Sequence, residues 1–187
     1  MFRKLILSFI VFAALFGVGF GLAQKNEMLL ARRIALYETA LANNDFEQAY
    51  TRANQLAADG HMPAHGLLAQ LYENGTGVAQ NMTIALEQYK LASMSGDAQA
   101  QTNLARLYLS EEGGEKNIKL AVHWLEKAAA QNNAAAQYEL GRFYQNGTLQ
   151  TQDITKAKAL LLSASENGVS AANPVLASIE SSELGLR

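Results

Sequence analysis

The chain contains no cysteine, which excludes disulfides, thiolate nucleophiles and cysteine-ligated zinc together. Proline is nearly missing as well, with only Pro63 and Pro174. That scarcity, beside an alanine-heavy apolar fraction with few β-branched runs, favours helix over sheet, so the expected fold class is all-α. Neither sign of charge dominates: 15 basic residues against 17 acidic ones leave a net charge of −2. Without the basic face that a phosphate backbone requires, no nucleic-acid partner is expected. What is present, 49% apolar and 17% charged residues in a chain of 187, is the composition of one globular domain with a core to bury.

Residues 1–23 stand apart. Arg3 and Lys4 precede an uncharged apolar stretch, and Gly21-Leu22-Ala23 places small residues where a signal peptidase reads. This is expected to be a secretory signal. The rival is an uncleaved anchor, because the uncharged run from Leu5 to Ala23 is 19 residues and a membrane-spanning helix needs about 20. Either way the basic start stays cytoplasmic and the remainder is carried across. Taking Arg3 and Lys4 from the 15 basic residues leaves 13 against 17 acidic ones, a mature charge of about −4. A cysteine-free exported chain suits a bacterial periplasm better than a disulfide-rich secretory route.

The rest of the chain repeats. Tyr72, Tyr108 and Tyr144 are 36 residues apart, and the same step joins Ala64, Ala100, Ala136 and Ala172; Leu68, Leu104, Leu140 and Leu176; and Leu71, Leu107, Phe143 and Ile179. Positions 64, 68, 71 and 72 lie on one helical face, which must be buried. A second column, Asp45, Asn81, Asn117 and Asp153, precedes helix-forming sequence each time and predicts N-caps, with Gln48 completing a capping box on Asp45. A third, Gly60, Gly96, Asn132 and Gly168, predicts left-handed helix stops. Each unit therefore reads helix, turn, helix, turn.

The glycine-rich stretch Asn74-Gly75-Thr76-Gly77 falls between the two helices of a unit, as does Asn146-Gly147, while the middle unit carries Ser110-Glu111 and keeps Gly113. A phosphate-binding loop needs a strand before it and glycines that aim amides at the anion. Here a helix precedes it and one copy holds a glutamate, so the stretch is expected to be a bend. The Asn-x-Thr sequons at Asn74, Asn81 and Asn146 fall where turns and caps ask for these residues anyway.

These residues resemble the Sel1-like repeat, a relative of the tetratricopeptide repeat. The first copy shows Ala64, Leu68, Tyr72, Gly75, Gly77, Val78, Asn81, Ala85, Ala92 and Gly96; the second Ala100, Leu104, Tyr108, Gly113, Asn117, Ala121, Trp124, Ala128 and Ala129; the third Ala136, Leu140, Gly141, Tyr144, Gly147, Asp153, Lys156, Ala157, Ala164 and Gly168. Ala69 and Ala105 replace the family glycine, and Gln88 replaces its large aromatic. The resemblance implies a right-handed α-solenoid of helix-turn-helix units: a tetratricopeptide-like unit at 26–60, Sel1-like units at 62–97, 98–133 and 134–169, and a capping helix and tail at 170–187. Pro174 is tolerable in the first turn of that cap.

Catalytic chemistry is hard to find. His61 and His65 have ligand spacing, but Pro63 lies between them and Gly60 stops the preceding helix, so no metal is expected. His123 reads as a surface or packing residue. Acidic residues such as Glu73, Glu111, Glu112 and Glu139 are scattered, without the opposed environments that general acid and base need. No catalytic residue and no cofactor are expected. The register of tetratricopeptide-like repeats aims Gln70, Arg106 and Arg142 at the concave face, beside Gly66, Thr102 and Tyr138 and, one turn on, Glu73, Leu109 and Gln145. Two arginines one repeat apart suit an acidic peptide or a carboxyl terminus, or else pair with neighbours such as Glu139. The resemblance implies a non-enzymatic scaffold that binds a protein or peptide in the cell envelope, with the membrane touched only through an uncleaved N-terminal segment. The alternative is a small secreted hydrolase or peptidoglycan-binding protein on the same scaffold.

Overall fold

A computed structural model of the chain describes residues 24–110, 117–147 and 152–183. The expectations placed on residues 1–23 and on the connector from Glu111 to Lys116 lie outside them. The described residues form nine α-helices and no strand: α1 (24–42), α2 (Phe46–Ala58), α3 (Ala64–Asn74), α4 (Met82–Met94), α5 (Ala98–Leu109), α6 (Ile118–Ala130), α7 (Ala134–Asn146), α8 (Ile154–Glu166) and α9 (Ala172–Glu183). No helix among them is long and apolar enough to cross a membrane.

Each helix packs on its neighbours in sequence, most extensively within the hairpins α3/α4, α5/α6 and α7/α8. This is an α-solenoid. Two bonds recur with the 36-residue step and explain why the step is kept. The carbonyls of Tyr72, Tyr108 and Tyr144 accept from the amides of Asn81 (2.9 Å), Asn117 (2.7 Å) and Asp153 (3.0 Å), closing each hairpin. Between hairpins, the amides of His61, Asp97, Asn133 and Val169 donate to the carbonyls of Leu56, Ala92, Ala128 and Ala164. A length change in either connector would forfeit one of these bonds.

The caps form at the expected column. Asp45, Asn81, Asn117 and Asp153 accept from the amides of Gln48, Ile84, Leu120 and Lys156 at 3.2, 3.1, 3.0 and 2.9 Å, each contact being worth about 1 kcal/mol. Only half of the expected capping box is made at Asp45. Its amide is already bonded to the Ala40 carbonyl, and the Gln48 side chain turns to Arg52 instead. Asp97 and Asn133 cap α5 and α7 in the same way, a second cap column that the periodicity contains but that was not anticipated. The stop column takes the left-handed conformation throughout, including Asn132 at φ 62°.

The core is four clusters, one at each packing step along the stack. Alanines supply much of it: Ala64, Ala85, Ala92, Ala121, Ala128, Ala136, Ala157, Ala164 and Ala172 are fully buried, which lets neighbouring helices approach closely. Leu56, Leu104, Leu107, Leu125 and Leu161 fill the remaining space, at about 1.5–3 kcal/mol for each leucine buried. Beneath the bend after α3, a Cβ on Gly77 would stand 2.0 Å from the Phe46 carbonyl oxygen, and φ there is 70°. Glycine at position 77 is thus required by contact with the start of α2, and the bend is a packing element.

Candidate functional site: the face of the first helices

The first helices of the hairpins, α3, α5 and α7, are neighbours along one face, and the gap between each pair is floored by a residue from the second helix. Between α3 and α5 that residue is Tyr89, fully buried. Its hydroxyl donates to Glu73 Oε2 at 2.7 Å and accepts from Asn103 Nδ2 at 3.2 Å. Burial first, and then the hydrogen bond to Glu73, push this hydroxyl far above the usual phenol range, so it remains a donor. The second oxygen of Glu73 receives the Arg106 guanidinium. Phenol, carboxylate, amide and guanidinium thus lock α3, α4 and α5 together.

Between α5 and α7 the same position is Leu125, and the gap is open. A recess of about 240 Å³ is lined there by Gln99, Thr102, Asn103, Arg106, Leu109, Leu125, Ala135 and Glu139. A smaller one, of about 160 Å³, lies beside it against Glu139, Arg142, Phe143 and Asn146. Arg142 is exposed and lies over the Tyr138 ring at 5.7 Å from its centroid.

A single family profile, that of the Sel1 repeat, matches residues 63–97, 98–133 and 134–169, more than half of the chain. The chain belongs to the Sel1 repeat family. Solved Sel1 repeat structures agree. A Sel1 repeat protein from Oxalobacter formigenes superposes with a TM-score of 0.75 at 25% identity, over 81% of this chain and 62% of that one. A protective antigen of uropathogenic Escherichia coli strains, displaying the same repeat fold, superposes with a TM-score of 0.72 at 23% identity, over 80% of this chain and 33% of that one. The chain therefore spans less than two thirds of either structure. No curated protein matches it.

Within the Sel1 framework the anticipated face residues separate into two groups. Glu73 is 13% exposed in its side chain and both of its oxygens are engaged, so it is a structural partner of Arg106 and Tyr89. Thr102 is 8% exposed and its hydroxyl donates to the Ala98 carbonyl, leaving only its surface to the recess. Arg106 pairs with Glu73 rather than with Glu139, so the two arginines are not an equivalent stacked pair. Gln70, Tyr138 and Gln145 are half-buried and Arg142 is exposed. The two histidines with ligand spacing diverge: His61 precedes α3, and His65 Nδ1 pairs with Gln88 Oε1 at 2.7 Å. His123 is exposed, edge-on to Trp124.

Sequence reasoning passed over the glutamine that follows the column alanine in the second and third Sel1 units. Gln101, buried, donates to the Ser93 carbonyl of the preceding hairpin at 3.1 Å and accepts from Gln131 at 2.9 Å. Gln137, also buried, repeats this with the Ala129 carbonyl at 3.5 Å and Asn167 at 3.2 Å. Each glutamine clamps three helices. The recess residues Gln99, Asn103 and Ala135, and the part that Leu125 plays in it, were likewise missed; the signal was one tyrosine in a column otherwise filled by leucine, at 89, 125 and 161.

Proposed function

We propose that this Sel1 repeat protein is an exported, non-enzymatic scaffold of the bacterial cell envelope that holds a partner protein or peptide on the face of α3, α5 and α7. The Sel1 repeat is a protein–protein interaction scaffold, and scaffolds of this kind are typically non-catalytic. The observation that carries the reading is the contrast along that face. Backbone bonds, caps and alanine columns are constant from hairpin to hairpin, while the outward rows change chemistry from Gln70 to Arg106 to Arg142. Arg142, exposed, has no carboxylate within ion-pair distance among the described residues, and it adjoins the open recess through Glu139. A guanidinium so placed suits a carboxylate on the partner.

The test is affinity capture from an envelope fraction, comparing wild type with Arg142→Glu and with Lys119→Glu, an exposed charge reversal on the second helix α6. The expected result is a partner lost with Arg142→Glu and kept with Lys119→Glu. A partner kept by both variants sinks the assignment to this face. Intact mass of the exported chain tests the N-terminal reading, with loss of residues 1–23 expected. Cleavage products on incubation with peptidoglycan fragments would favour the hydrolase alternative over the scaffold.

A further inference from the structure

The solenoid carries its own template for what the open recess accepts. Superposing the repeat on itself by 36 residues carries Glu73 onto Leu109, Tyr89 onto Leu125, Gln99 onto Ala135 and Asn103 onto Glu139. In the α3/α5 gap the volume above position 89 is filled by a phenol ring, whose hydroxyl lies among polar side chains of both first helices. In the α5/α7 gap the side chain stops at Leu125, itself only 1% exposed, and a recess of about 240 Å³ opens beside it between the two first helices. That is below the roughly 300–1,000 Å³ of a small-molecule pocket, and it matches one side chain better than a metabolite.

We infer that this recess receives a tyrosine side chain from the partner, entering from the first-helix face and occupying the place that Tyr89 fills from within one repeat earlier. The inference rests on the scaffold reading and names the anchor the partner supplies. Three observations fit a phenol. The floor is apolar, from Leu125, and each wall adds one apolar side chain, Leu109 on α5 and Ala135 on α7. Glu139, one turn beyond Ala135 on the α7 wall at the position of the template's Asn103, has no basic partner among the described residues and is a carboxylate acceptor for the hydroxyl proton. Asn103, whose amide already serves the Tyr89 hydroxyl, lines the recess too, so the two phenols would sit on either side of one residue. A tyrosine also brings a large rigid contact area with few rotors to freeze, which is why it anchors interfaces so often. A phenylalanine would leave Glu139 desolvated without a donor.

The probes are p-cresol, the tyrosine side-chain analogue, and toluene, the phenylalanine one, titrated into the full chain carrying labelled leucine methyl groups. Saturable shifts of the Leu109 and Leu125 methyls by p-cresol are expected, with toluene weaker by about threefold or more. Leu125→Tyr fills the recess from within, and Ala135→Phe blocks it from an exposed rim position where folding is not at stake. Each is expected to weaken p-cresol binding by about tenfold or more. Glu139→Ala is expected to bring p-cresol down to the toluene level. Absence of a saturable shift, an unchanged response in Ala135→Phe, or toluene binding as well as p-cresol in the wild type would overturn the inference. Its failure is separable from that of the scaffold reading: p-cresol reports the recess alone, whereas loss of a captured partner with Arg142→Glu reports the face.

Discussion

The gap between α3 and α5 and the gap between α5 and α7 are built from the same columns, and yet one is sealed and the other open. Among the replaced positions, Tyr89 becomes Leu125 and Glu73 becomes Leu109. With tyrosine and glutamate, a buried phenol is satisfied from both sides and an arginine is drawn in over the carboxylate. With two leucines, no polar group holds the gap shut and a recess remains. A repeat scaffold can therefore turn a structural junction into a binding position without altering a backbone bond, because hairpin geometry is set by caps and carbonyls elsewhere.

Truncating the lock should cost most. Tyr89→Ala removes a fully buried ring and leaves Glu73 and Asn103 without their shared partner, so a loss of about 3–5 kcal/mol is expected in urea unfolding. A loss under about 1 kcal/mol would mean that the sealed gap contributes no more than the open one. Gly141→Ala tests the packing of α7 on α8 within the last hairpin. A Cβ there would lie 2.7 Å from Leu161 Cγ, whereas Ala69 and Ala105 occupy the same column in earlier repeats. Overpacking is expected to lower stability by about 1–3 kcal/mol, and co-substitution of Leu161 by alanine should relieve the clash while adding a cavity cost of its own.

Smaller effects separate the polar contributions. Tyr89→Phe keeps the ring but orphans Glu73 Oε2 and Asn103, for an expected loss of about 1–2 kcal/mol. Gln101→Ala should cost about 1 kcal/mol, and Gln137→Ala less, since the bond to the preceding carbonyl lengthens from 3.1 to 3.5 Å between the two clamps. Hydrogen exchange at the amides of α4 and α6 would show which junction loosens in each case. Arg106→Ala should matter least, below about 1 kcal/mol, because the Arg106 side chain is 54% exposed and its charge is screened by solvent. A larger loss would place the strength of the lock in its ion pair instead of its phenol.

Much of the fold was legible beforehand. Four N-caps, four left-handed stops and the alanine column were readable because each depends on local backbone geometry repeated at a fixed step; the leucine columns bury fully except at Phe143 and Leu176, and the tyrosines at 72, 108 and 144 are only half-buried. Where the requirement came from outside the unit, reading by column failed. Gln48 was assigned to a capping box, but the Asp45 amide was claimed by α1. Column reading puts Glu73 on the concave face and gives Arg106 either a partner's carboxylate or a neighbour such as Glu139; its pairing with Glu73, 33 residues away, joins positions in two different columns. Glu139, named as a neighbour for the arginines, became instead a wall of the recess.

Sequence alone determined the unit: its length, its helices, where they start and stop, and which faces they bury. These follow from short-range hydrogen bonding and from apolar spacing, both of which act within about one hairpin. Only the tertiary structure decided what happens between units. Whether a gap closes depends on the size of a side chain arriving from the second helix and on which polar groups of two first helices it can reach, and those distances exist only once the hairpins are stacked.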